Sequence, residues 1–129
     1  MSPKFIHLRL HTEFSLSDGT VRVKSLMTVL AEQGSPAVAV TDINNLFALV
    51  KFYKAATAAG IKPIIGTDVW IEADNAQDDP TPLVLLARDE KGYRNLSELL
   101  SRAYLEGQRL GKALLKKAWL GEQSEGLIA

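Results

Sequence analysis

Six side chains within the first 68 residues are of types that do chemistry together. They are His7, Arg9 and His11, at alternate positions, followed by Asp18, Asp42 and Asp68. Histidines and carboxylates that converge on divalent cations polarise a phosphoryl oxygen and generate hydroxide at neutral pH, which is what a metal-dependent phosphoesterase requires. A ligand set of His7, His11, Asp18, Asp42 and Asp68 would use both histidines the chain has. Arg9 opposes that use. Its guanidinium carries a fixed charge and no lone pair, so within about 4 to 6 Å of a divalent cation it is repulsive by several kcal/mol at intermediate dielectric. The same position suggests that Arg9 neutralises Asp68 or Asp42 and stands in for a metal's charge. The plainer alternatives are solvated strand-end residues and, for His11, a histidine bonded to backbone. Arg9 with Asn44 and Asn45 at a helix start could also hold a phosphate, which would be binding without catalysis.

These residues need elements to carry them. Phe5 to His11 alternates, and a strand of period two puts Ile6, Leu8 and Leu10 on one face with Phe5, His7, Arg9 and His11 on the other. Ser15 to Gly19 reads as a loop. Thr20 suits an N-cap, and Val23, Leu26, Met27 and Leu30 fall at helical spacing before Gly34 ends the run. Ala37 to Thr41 is a short apolar strand, Asp42 to Asn45 a turn with capping residues, and Leu46 to Ala59 a second helix closed by Gly60. Lys62 to Ile71 is a third strand, interrupted at Gly66, where the backbone can bend or be approached closely.

The polar segment Asp74 to Thr81 is an exposed connection. Pro82 to Ala87 lacks alternation, which predicts a strand buried on both faces. A third helix is predicted from Tyr93 to Leu105, with Leu96, Leu99, Leu100 and Ala103 as its apolar stripe. Arg109, Lys112, Lys116 and Lys117 surround Leu110, Leu114 and Leu115 in what reads as a short amphipathic helix with a solvated basic face. Gly126 to Ala129 reads as the opening of a strand cut off before it can pair. Alternating strands and helices predict an α/β fold with mainly parallel strands, either an open doubly wound sheet or part of a closed barrel. Both collect ligands at the carboxyl ends of strands, here Arg9 to Asp18, Thr41 to Asn45 and Gly66 to Asp68.

The bulk properties bound the function. The chain has 129 residues, enough for one domain with a core. Fifteen basic residues balance fifteen acidic ones, so no electrostatic footprint for nucleic acid is expected. The absence of cysteine excludes disulfides, thiolate metal sites and a cysteine nucleophile, and fits a reducing cytoplasm. No apolar run approaches the roughly 20 residues of a membrane span, and no signal-peptide pattern opens the chain. A soluble, cytoplasmic protein is expected.

The opening His7-Leu8-Arg9-Leu10-His11-Thr12-Glu13-Phe14-Ser15-Leu16-Ser17-Asp18-Gly19 resembles the first motif of the polymerase and histidinol phosphatase (PHP) domain, in the form found in replicative DNA polymerase III alpha subunits. Ala39 to Tyr53 is similar to the second motif and its helix, and Gly60 to Asp68 to the third. The likeness continues through Gly92 to Leu96 and Glu125 to Ile128. It implies that residues 1–129 are the N-terminal portion of a single PHP domain, part of a distorted, TIM-barrel-like (β/α)7 barrel. The departures bear on the metal. The family's His-x-His pair is here Arg9-Leu10-His11, its Thr-Asp-His is Thr41-Asp42-Ile43, and its usual glutamate is Asp68, while Asp18 is kept.

Arg9, His11, Asp18, Asp42, Ile43 and Asp68 therefore resemble the vestigial metal positions of a branch that no longer binds metal. No catalytic residue and no cofactor is expected in this segment; a reduced site, if any, would use His11, Asp18 and Asp68. For the parent chain the resemblance implies Mg2+-dependent, template-directed DNA synthesis within the replicase holoenzyme. For this segment it implies packing against the polymerase thumb and docking of the proofreading exonuclease subunit, epsilon. The alternative is a PHP-type phosphoesterase, pyrophosphatase or 3′–5′ exonuclease with a reduced ligand set. A partial barrel leaves strand edges unpaired, so self-association is expected.

Overall fold

A computed structural model gives the fold of residues 4–129. Its centre is a long strand, β2 (Lys62–Ile71), whose isoleucines and valine suit a pleated, half-covered surface. The first half of β2 runs parallel to β1 (Ala37–Val40), with Ala37 opposite Lys62 and Val40 opposite Ile65. The second half pairs antiparallel with β3 (Thr81–Ala87), and Trp70 and Ile71 also run parallel to Leu114 and Leu115 of β5 (Lys112–Leu115). Two short strands extend the sheet: β4 (Gln108–Arg109) beside β5 and β6 (Leu127–Ile128) beside β3, both antiparallel.

The helices are α1 (Val23–Glu32), α2 (Leu49–Ala58), α3 (Glu90–Glu106) and α4 (Lys117–Glu122), with a 3-10 segment at Glu13–Asp18. One core lies among α1, α2 and β1, around Val23, Met27, Val38, Phe52 and Ile61. A second lies where α3 and Trp119 cover β2, β3 and β5, around Val69, Leu85, Leu96, Leu99 and Leu115. The result is a mixed α/β fold with a curled, half-barrel sheet. No helix among the described residues is long and apolar enough to cross a membrane.

The expectation of mainly parallel strands is corrected, because among the described residues two ladders are parallel and three antiparallel. Residues 72–80 between β2 and β3 are fewer than the dozen or so a parallel crossover needs, so β3 must turn back. β3 is also not buried on both faces: Leu85 alone reaches full burial, beneath α3.

Four further expectations change. Phe5 to His11 bends at Leu8 and forms no ladder. Ala39 donates to the His7 carbonyl and Thr41 to the Leu10 carbonyl, each at 2.8 Å, so three steps on one side face two on the other. This bulge-like slip breaks the alternation and leaves Leu8 exposed. Thr20 does not cap α1, since the Glu13 amide holds the Val21 carbonyl at 2.9 Å and keeps the chain extended to Arg22. Residues 109 to 115 form a hairpin rather than a helix. Leu110 (φ 50°) and Gly111 (φ 76°) make a two-residue turn with both φ angles positive, and this sends Ala113, Leu114 and Leu115 into the core. Finally, Leu127 and Ile128 do find a partner, pairing with Ala87 and Leu86.

Candidate functional site

Backbone pairing within β2 brings Asp68 beside Asp42, which follows the end of β1. Asp68 donates its amide to the Asp42 carbonyl at 3.1 Å, and Asn44 returns a bond to the Asp68 carbonyl at 2.8 Å. The Thr67 hydroxyl adds a bond to the Asp42 carbonyl at 2.7 Å. Gly66 permits the close approach of β3 just before this point, because a Cβ there would lie 2.6 Å from the Leu85 carbonyl oxygen. The two carboxylates then point to different partners.

Asp42 faces the N-terminal segment. Its Oδ1 accepts from the Thr12 amide at 2.6 Å and the Ser15 hydroxyl at 2.7 Å, and its Oδ2 accepts from the Thr12 hydroxyl at 2.8 Å. Thr12, Ser15 and Asp42 are all buried, both carboxylate oxygens of Asp42 accept hydrogen bonds, and no cationic side chain among the described residues pairs with it. The expectation that Arg9 faces either Asp42 or Asp68 therefore resolves onto Asp68.

At Asp68 one oxygen carries every contact. Oδ2 accepts a hydrogen bond from Arg9 Nε at 2.8 Å, forms an ion pair with Arg9 Nη2 at 2.7 Å, and lies 2.7 Å from His11 Nε2. His11 Nδ1 reaches Asp18 Oδ2, also at 2.7 Å. An imidazolium satisfies both contacts as a donor, whereas the neutral ring can donate to only one. Oδ1 of Asp68 is buried and has no partner among the described residues. Arg9, Leu10, His11 and Asp18 line a shallow, open depression above this cluster.

The remaining sequence candidates are placed elsewhere. His7 stacks edge-on against Phe5, with ring centroids 4.7 Å apart, and joins none of these contacts. Ile43 bridges Asp68 through backbone and donates its amide to the Ser15 hydroxyl at 3.1 Å. Asn44 and Asn45 do not stand at a helix start, because α2 begins at Leu49. Asn44 takes a left-handed backbone (φ 51°), donates its side-chain amide to the Ala113 carbonyl at 3.1 Å, and accepts the Tyr104 hydroxyl on its own carbonyl at 2.7 Å. Asn45 donates to the Phe14 and Ile43 carbonyls. Their amides are tied to backbone, so the anion site expected from Arg9, Asn44 and Asn45 is not assembled.

Thr12, Ser15 and Thr67 were missed by sequence reasoning. The available signal was a threonine and a serine just past the first polar segment, facing an aspartate at an apolar strand's end.

Over residues 7–129 the chain matches the family described as the PHP domain. It is 57% identical over 130 residues to DNA polymerase III subunit alpha of Pseudomonas aeruginosa, covering 100% of this chain and 11% of that protein. It is 48% identical to the Vibrio cholerae subunit and 44% to the Escherichia coli K12 subunit, covering 98% of this chain and 11% of each protein. The chain thus spans 11% of the length of these curated relatives. Among solved structures, it resembles a protein from Bifidobacterium adolescentis described as a metal-dependent phosphoesterase, with a TM-score of 0.56 and 17% identity over 84% of this chain and 37% of that one. It also resembles an amidohydrolase from Chromobacterium violaceum with bound sulfate and no metal, with a TM-score of 0.55 and 22% identity over 78% of this chain and 36% of that one. At these identities the two structural likenesses concern the fold alone.

Proposed function

The chain belongs to the PHP domain family, and on that premise we propose that it is the N-terminal PHP module of a replicative DNA polymerase III alpha subunit, non-catalytic in itself and serving to dock the proofreading exonuclease subunit. DNA-directed DNA synthesis, with its Mg2+, belongs to the rest of the parent chain. The observation that carries the non-catalytic reading is the Arg9–Asp68 pair. Asp68 Oδ2 is held by two guanidinium nitrogens, at 2.8 and 2.7 Å.

The donor set does not fit a divalent cation. Arg9 brings fixed positive charge and no lone pair to a ligand position, Ile43 brings no donor, and both nitrogens of His11 already face carboxylates. Both Asp42 oxygens are occupied by hydrogen-bond donors. The charge that a metal would supply is supplied by side chains, and the architecture is retained for holding other protein. Identities of 44 to 57% to alpha subunits support the assignment of the parent chain.

One observation favours a second reading. His11 lies 2.7 Å from both Asp18 and Asp68, the reduced set a PHP-type phosphoesterase could draw on. Metal analysis separates the two. After dialysis the full-length alpha chain is expected to retain no stoichiometric zinc or manganese at this domain. Retained metal, with phosphoester turnover lost in His11→Ala, would overturn the non-catalytic reading. For docking, purified exonuclease subunit should co-elute with the full-length chain; separate elution at micromolar concentration would count against it.

A further inference from the structure

Leu16, in the exposed part of the 3-10 segment, has its backbone held out of the range a leucine prefers. Its φ is 57° and its ψ −104°, outside the left-handed well open to L residues, which lies near ψ of about +30 to +60°. Glycine, with no Cβ, would meet no such clash. A residue kept in a region of this kind is disfavoured by roughly five- to 150-fold. Burial does not hold it there, because Leu16 is 80% exposed. The chain on either side is fixed. Upstream, the buried Ser15 hydroxyl donates to Asp42 Oδ1 at 2.7 Å and accepts the Ile43 amide at 3.1 Å, while the Phe14 carbonyl accepts from the Asn45 side chain at 2.9 Å. Downstream, Gly19 lies so close to the Thr12 carbonyl that a Cβ would not fit. Between these pins, the one side-chain hydrogen bond made by residues 16–18 among the described residues joins Asp18 to His11 at 2.7 Å, and the Asp18 side chain is 60% exposed.

We infer that Leu16 to Asp18 form a strained clasp that opens about Leu16, swinging Asp18 off His11 while Ser15 and Gly19 stay seated. An exposed ion pair favours one conformation by up to about fivefold, which is no larger than the smallest strain it opposes. The 3-10 turns on either side of Leu16 add hydrogen bonds for which water competes. The closed form is therefore held with little margin. Opening frees His11 Nδ1, leaves His11 its contact with Asp68 at 2.7 Å, and removes one wall of the depression that Arg9, Leu10, His11 and Asp18 line. The clasp thus sets how far the cluster of Arg9, His11 and Asp68 is covered. Ionic strength biases it, since salt screens the pair that closes it. This holds whether or not the domain docks another subunit.

Hydrogen–deuterium exchange of the full-length parent chain, read by mass spectrometry on the peptide covering residues 13–19, tests the clasp. Leu16→Gly removes the strain and is expected to slow exchange there about threefold or more, whereas glycine in a relaxed loop would speed it. Asp18→Ala should speed exchange about two- to fivefold. Raising salt should speed it in the wild type and not in Asp18→Ala. The peptide covering residues 37–45, which carries Asp42, should be unchanged in both variants. Exchange that Leu16→Gly leaves the same or speeds would overturn the inference, because Leu16 then stores no strain. So would an Asp18→Ala variant that exchanges as the wild type does. If faster exchange spreads to residues 37–45, the N-terminal segment detaches as a unit and the pivot is not at Leu16. Should either variant fail to fold, the wild-type salt series decides alone: exchange at residues 13–19 that does not quicken as salt rises would end the proposal.

Discussion

Arg9 meets Asp68 through a single oxygen. Nε and Nη2 both reach Oδ2, at 2.8 and 2.7 Å, while Oδ1 stays buried and has no partner among the described residues. The pair is asymmetric in another way, because the Arg9 side chain is 60% exposed and that of Asp68 is 6% exposed. Water screens the attraction from the arginine side, so most of what Arg9 contributes is relief of an otherwise under-compensated buried carboxylate. Arg9→Ala should therefore lower the unfolding free energy by about 1 to 2 kcal/mol in urea titrations. Arg9→Lys should recover part of this, as it keeps the charge but not the fork of donors. An unchanged midpoint in Arg9→Ala would identify Arg9 as a solvated residue.

Asp42 is held by the Thr12 amide and hydroxyl and the Ser15 hydroxyl, and pairs with no cationic side chain among the described residues. Each bond to a charged acceptor in a buried site outweighs a neutral one. Asp42→Asn keeps the shape but turns an amide group toward one of these donors, leaving buried groups unsatisfied. A loss of about 2 to 4 kcal/mol is expected by chemical denaturation. A loss comparable to that of an exposed substitution would mean the N-terminal segment is not anchored here.

Gly19 is needed for space, since its φ of −147° is open to any residue. A Cβ on it would run into the Thr12 carbonyl, whose carbon would lie at 2.7 Å. Gly19→Ala must displace Thr12, and Thr12 holds Asp42. The two variants Gly19→Ala and Asp42→Asn should therefore be strongly non-additive in denaturant titrations, the double variant losing clearly less than the sum. Additive losses would separate Gly19 from the Asp42 network.

The sequence carried the regular elements further than the site. The bounds of β2 and the apolar run of β1 follow from composition and from Gly34 and Gly60, which close the helical runs before them, because local propensity and tertiary packing agree there. The first segment did not follow. Its alternation is real in sequence, but one extra residue between the bonds to Ala39 and Thr41 cancels it, and a bulge leaves no mark in a binary pattern. The hairpin at Leu110 was hidden for a similar reason, since leucine at positive φ is not a turn signal. In the site, charge and lone-pair arguments found Arg9, His11 and Asp68 because ions constrain one another across strands. They could not choose between Asp42 and Asp68, which depends on where the Thr12 and Ser15 hydroxyls lie after folding.

Asp89 links stability to pH away from the site. It caps α3 by accepting the Gly92 amide at 2.9 Å, and this backbone bond is the main cause that holds its carboxyl below the ordinary aspartate range. Slight desolvation acts the other way, and the Arg88 side chain adds to the lowering. The folded state thus binds this proton less readily than the unfolded chain does. The cap's contribution is present above the ordinary aspartate range and is lost as pH falls through the depressed folded value. Asp89→Ala is expected to melt earlier than wild type near neutral pH, with the gap closing as the medium is acidified. Asp89→Ser keeps an uncharged cap, so its difference from the alanine variant should be insensitive to pH over the same interval. Melts followed by circular dichroism at a series of pH values would check both trends, and a wild-type advantage over alanine that persisted unchanged into strong acid would show that the ionised carboxylate is not what caps the helix.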